Sequence, residues 1–70
     1  MQNPSQDKAK RTLTGREKEV IEYLSMGLTY DEIATQLNVS PETVKMHLKN
    51  IYRKLQVKNK IEALNKMKLL

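Results

Sequence analysis

Seventy residues without a cysteine make at most one small domain, and a chain of that size buries only about 60% of the surface its unfolded form exposes; disulfide staples and thiolate metal sites are excluded. One histidine and two glycines supply neither a histidine metal site nor a phosphate-cradling loop, so no enzyme chemistry, metal or cofactor is expected. The net charge of +5 is unevenly placed. Residues 13–40 set Arg16 and Lys18 against five acids, whereas residues 41–60 set Lys45, Lys49, Arg53, Lys54, Lys58 and Lys60 against Glu42 alone, the footprint of a chain that binds a polyanion.

Residues 1–12 (MQNPSQDKAKRT) carry one aliphatic side chain larger than alanine, Met1, and cannot pack. They are expected to form a flexible arm, or a linker to the rest of a longer chain, with residues 13–70 as the domain. No apolar run approaches the roughly 20 residues that span a bilayer, and the polar start lacks the apolar stretch of a signal peptide. The expected setting is a reducing cytoplasm.

Four helices follow in the pattern. The first is expected at about 15–26, opened by Thr14 with Glu17 three residues on, the spacing of a capping box. It turns Val20, Ile21 and Leu24 inward and leaves Gly27 free to adopt a left-handed conformation after its end. Thr29 with Glu32 opens the second, about 30–37, whose inner residues are Ile33, Ala34 and Leu37. Ser40 followed by Pro41 opens the third, about 41–55, an N-cap and a proline where a missing amide is tolerated. Its apolar residues Val44, Leu48, Ile51 and Leu55 recur at the spacing of one buried stripe. Asn59 with Glu62 repeats the capping-box spacing for a fourth helix, about 60–70, with Ala63, Leu64 and Met67 inward. Nothing alternates with period two over a useful length, so the fold class is all-α, a bundle of four short helices.

Only Asn38, Val39 and Ser40 separate the second and third helices, a link that sets two helices at a steep angle as in a helix-turn-helix. Ala34 supplies the small side chain where the helices cross, Asn38 tolerates the positive φ of the turn, and Val44 plugs the corner between them. With Val44 at 0° on a wheel of 100° per residue, Leu48, Ile51 and Leu55 lie within about 40° of it. Glu42, Lys45, Met46, Lys49 and Arg53 then fall between about 100° and 200°. That outward face suits a major groove, where lysine donates to guanine O6 and N7 and a methionine stem can meet a thymine methyl. His47, at about 300°, flanks the core stripe and is expected to pack or to touch a phosphate rather than read a base. Tyr52, at about 80°, borders both faces, its ring packing and its hydroxyl within reach of a phosphate. Lys58, Asn59 and Lys60, with the free amides of the fourth helix's start, form a second phosphate-binding group.

The strings LTGREKEVIEYLSMGLTYDEIA and LNVSPETVKMHLKNIYRKLQVKNKIEAL resemble the LuxR-type DNA-binding domain of bacterial response regulators of the FixJ and NarL kind. Gly15 and Ile61 depart from residues common at their positions in that family. The resemblance implies a four-helix helix-turn-helix domain that binds double-stranded DNA as the output domain of a two-component transcription regulator in the bacterial cytoplasm. Position by position, it implies that Lys45, Met46 and Lys49 face bases, and that Thr43, Lys58, Asn59 and Lys60 lie near phosphates. Thr29, Tyr52 and Arg53 complete the backbone contacts expected. The family also pairs through its last helix, which makes that helix the dimer surface and an inverted-repeat operator the expected DNA partner. On the fourth-helix wheel Leu69 and Leu70 fall away from the direction shared by Ala63, Leu64 and Met67, and they are the expected dimer residues. RNA polymerase is a further candidate partner. Two alternatives stand beside this reading: a protein-docking module whose basic helix meets an acidic partner, and an RNA binder, which three tyrosines without Phe or Trp equip poorly for stacking.

Overall fold

The computed structural model describes residues 13–69, the side chain of Leu69 excepted. The arm expected at 1–12 and the C-terminal Leu70 lie outside the described residues, so the dimer role expected of Leu69 and Leu70 has no side-chain description. Four helices form, α1 (Gly15–Ser25), α2 (Tyr30–Leu37), α3 (Pro41–Leu55) and α4 (Lys60–Leu69), and no strand occurs among the described residues. The first helix ends one residue before the expected position, because Met26 serves as its C-cap.

Each helix starts where a side chain satisfies amides that have no partner within the helix. At α1 the Glu17 amide donates to Thr14 Oγ1 (3.1 Å) and the Thr14 amide to Glu17 Oε1 (2.9 Å); Thr29 and Glu32 repeat both bonds at α2. At α3 Ser40 Oγ accepts the Thr43 amide at 3.2 Å. The box expected at α4 forms differently. Asn59 Oδ1 accepts the Glu62 amide, but Glu62 Oε1 takes the amide of Lys58 instead of Asn59 (3.0 Å), because the bend at Lys58–Asn59 turns the earlier amide toward the carboxylate.

Three helix ends share one device. Gly27 (φ 91°), Asn38 (φ 57°) and Gln56 (φ 58°) adopt the left-handed conformation, and the next residue's amide reaches back five positions, from Leu28 to Tyr23, Val39 to Ala34 and Val57 to Tyr52. This is the Schellman closure. Each reversal tucks the following aliphatic residue, Leu28, Val39 or Val57, partly against the core.

α3 is the hub against which α1, α2 and α4 pack. Its stripe of Val44, Leu48, Ile51 and Leu55 meets Val20, Ile21 and Leu24 of α1, Ile33, Ala34 and Leu37 of α2, and Ala63 of α4, all buried, with Leu13 closing the core from before α1. Since α3 is held on three sides, its remaining side is the exposed one.

Candidate nucleic-acid interface

The side of α3 left uncovered carries the residues the wheel assigns to it. Lys45, Met46, Lys49 and Arg53 are exposed, and Met46 keeps 64% of its surface open, an apolar stem on a face otherwise made of cations. The pattern behind this is the buried stripe itself: fixing Val44, Leu48 and Ile51 inward turns Lys45, Met46, Lys49 and Arg53, on the far arc of the helix, outward. At the helix's start the Ser40 and Thr43 hydroxyls lie 3.0 Å apart. Arg53 is steadied by donating to Asn50 Oδ1 at 3.4 Å.

Thr29 is exposed at the start of α2; its oxygen accepts the Glu32 amide, which leaves its O–H to donate outward. Tyr52 is half-buried, and burial first, then the neighbouring Tyr30, holds its phenol above the usual 10.0, so it stays a neutral donor. Tyr30 itself is partly exposed at the first position of α2, and sequence periodicity, which works within one helix at a time, gave no sign of this pairing across two. His47 is half-buried beside the stripe.

Lys58, Asn59 and Lys60 are all exposed in the bend that leads from α3 into α4. Of the amides expected to be free there, those of Lys58 and Glu62 are already bonded within the chain. Any anion held at this point therefore meets the two ammonium groups and the Asn59 side-chain amine more than the backbone.

One lysine of the basic segment is withdrawn from it. Lys54 Nζ donates to Glu17 Oε1 at 2.7 Å, joining α3 to the capping residue of α1 with the carboxylate only 5% exposed. Burial alone would push the Glu17 carboxyl up, but the bonds from Lys54 and from Thr14 outweigh it and hold the group below its usual 4.5. The outward charge is accordingly Lys45, Lys49 and Arg53, continued by Lys58 and Lys60.

On α4, Ile61 stands 70% exposed at the rim of a groove of about 420 Å³ between α1 and α4, lined by Ile21, Ile61, Leu64 and Met67 together with polar residues.

A short helix joined by a three-residue left-handed turn to a longer one, whose free face is basic and continuous, defines a helix-turn-helix nucleic-acid-binding domain. Residues 11–67 match the family described as bacterial regulatory proteins, luxR family, and the chain belongs to that family. It is a DNA-binding domain of the transcription-regulator type. Over 51 residues it is 45% identical to the nitrate/nitrite response regulator protein NarP of Escherichia coli strain K12, which covers 73% of this chain and 24% of NarP. It is similar also to the transcriptional regulatory protein DesR of Bacillus subtilis strain 168, at 45% over 56 residues (80% of this chain, 28% of DesR). The transcriptional regulatory protein UhpA of Salmonella typhimurium is 44% identical over 55 residues (79% and 28%). The chain thus spans about a quarter of the length of these curated relatives. No solved structure matches it.

Proposed function

We propose that this chain is the DNA-reading output domain of a two-component response regulator, and that α3 lies in the major groove with Lys45, Met46 and Lys49 against base edges. The observation that carries the reading is the exposed Lys45–Met46–Lys49 face, set on a helix that is packed on its other three sides and about 22 Å long by its 15 residues at the usual rise. Thr29, Thr43, Tyr52, Arg53, Lys58, Asn59 and Lys60 surround that face with hydroxyl, ammonium, guanidinium and amide donors, the groups that meet phosphates and set the register without reading sequence. The names of NarP and of its relatives as regulators support the response-regulator setting. No described helix is long and apolar enough to cross a membrane, which suits a cytoplasmic DNA partner.

A second copy of the chain docks through α4, where Ile61 and the adjoining groove leave apolar surface uncovered; the sequence expectation adds Leu69 and Leu70 to that pairing. Two copies related by a twofold axis read an inverted repeat with half-site centres about 34 Å apart. RNA polymerase is a further partner of the assembled pair.

Salt titration of binding to mixed-sequence duplex, with Lys45→Ala and Lys49→Ala on a selected operator, tests the reading. Several phosphate contacts give a steep linear fall of log K with log salt, and each alanine removes about 1–3 kcal/mol of site discrimination with helicity unchanged. A flat salt response, or full discrimination in both variants, refutes it.

A further inference from the structure

We infer that Glu42 is a specificity determinant of the DNA site, its carboxylate accepting from the N4 amine of a cytosine beside the base that Lys45 reads; the inference rests on α3 being the reading helix.

Glu42 occupies the second position of α3, about 160° round the wheel from Val44 and so in the middle of the arc that holds Lys45, Lys49 and Arg53. Its side chain is 84% exposed. It is the only acid between residues 41 and 60, and a carboxylate carried into the phosphate field weakens binding to every duplex alike. Ser40 already accepts the Thr43 amide at the helix start, so beyond the small general attraction of a first-turn acid for the helix dipole no capping bond accounts for it.

The carboxylate's own partner is Lys45 Nζ at 3.7 Å, an ion pair between exposed groups and too long for a hydrogen bond. Such a pair is weak and readily exchanged. In the major groove guanine offers O6 and N7, and thymine O4, which are acceptors that repel a carboxylate; adenine sets its N6 donor beside the N7 acceptor, and cytosine alone offers a donor, N4, with no acceptor on the same base edge. Glu42 therefore filters by repulsion as much as by attraction. On a matching site the two side chains part, the ammonium to guanine and the carboxylate to cytosine. On other duplexes they stay paired, and Lys45 has less charge to spend on phosphates.

Duplexes with a randomised core, selected on the wild-type chain, supply the operator; fluorescence anisotropy then compares wild type, Glu42→Gln, Glu42→Ala and Lys45→Ala on that operator and on every single base-pair change within it. Circular dichroism checks folding, and the glutamine variant keeps the side chain's size without its charge. Wild type is expected to lose roughly 5- to 150-fold when one C·G pair of the half-site is replaced. Both Glu42 variants should lose that preference while keeping the discrimination due to Lys49, and bind mixed-sequence duplex at least as tightly as wild type. Unchanged discrimination at every pair in both Glu42 variants overturns the inference, as does a lost preference that falls on a pair without cytosine. A wild-type chain that selects no consensus, or a Lys45→Ala variant that discriminates like wild type, would instead count against α3 as the reader.

Discussion

Replacing Lys54 by methionine keeps the aliphatic stem that lies along the helix interface and removes only the ammonium group. The carboxylate left behind, on a residue 3% exposed, keeps the Thr14 amide but loses its 2.7 Å partner. Breaking a fully buried pair costs about 3–5 kcal/mol, and an exposed one about 0.2–1 kcal/mol. Here the lysine end is 26% exposed and the glutamate end 5%, so water can replace the ammonium only in part. The expected cost is about 2 kcal/mol, which lies within the usual 1.5–3 kcal/mol for a hydrogen bond to a charged group. For a domain of this size that lowers Tm by about 8–16 °C. Glu17→Gln keeps an oxygen for the Thr14 amide and removes the charge, so the Glu17→Gln, Lys54→Met double variant should be more stable than the sum of the singles by about 1 kcal/mol. Urea and thermal unfolding followed at 222 nm measure all four corners of the cycle. A Lys54→Met loss below about 0.5 kcal/mol, or strict additivity, would refute the claim that this pair ties α1 to α3.

The same pair has a pH signature. Glu17 is held below 4.5 in the folded chain, so its stabilisation is complete above that value and is lost as pH falls through the lowered pKa; the Tm gap between wild type and Lys54→Met should narrow as pH falls below 4.5, and a gap that does not narrow under acid would contradict this. Lys58→Ala and Lys60→Ala should weaken specific and mixed-sequence duplexes alike and make the salt slope shallower by about one per lost contact, whereas a loss confined to the operator would make these residues readers of sequence. Ile61→Glu, at an exposed position, should leave the Tm within about 0.5 kcal/mol equivalents of wild type yet abolish the preference for an inverted repeat over one half-site in gel shifts; equal preference in the variant would move the pairing surface off α4.

What could be read from the chain before folding was what neighbouring residues encode among themselves. Thr14 with Glu17, and Thr29 with Glu32, mark helix starts because both halves of the bond lie within one turn. Gly27 and Asn38 mark ends because their types tolerate positive φ. Gln56 has no such preference, and a non-glycine residue there costs about 1–2 kcal/mol of local strain; its left-handed turn follows from the burial of Leu55 on one side and the partial burial of Val57 on the other, which only the assembled core dictates. Leu13 was likewise invisible as core, standing before the first helix with no periodic partner. The outward face of α3 was legible because a single helix's period settles it. Lys54 was counted with the basic segment 41–60, since the carboxylate that withdraws it lies 37 residues away. At α4 the expected Asn59 cap forms, but the reciprocal bond to Glu62 comes from one residue earlier, a shift that depends on how the chain bends between helices.

The uneven packing of the four helices has a consequence for how the fold breathes. Among the described residues of α4 only Ala63 is fully buried, with Leu64 and Met67 half-covered, and its packing is chiefly on α3. Helices with so few buried apolar contacts open at a free energy well below that of global unfolding. Amide protons of α4 should therefore exchange with solvent ahead of those of α3, whose stripe is sealed on three sides. Were a second copy laid over Ile61, as proposed, it would slow exchange in α4 before it slowed it anywhere else, and ordering the last helix and recruiting the partner would then be one thermodynamic step.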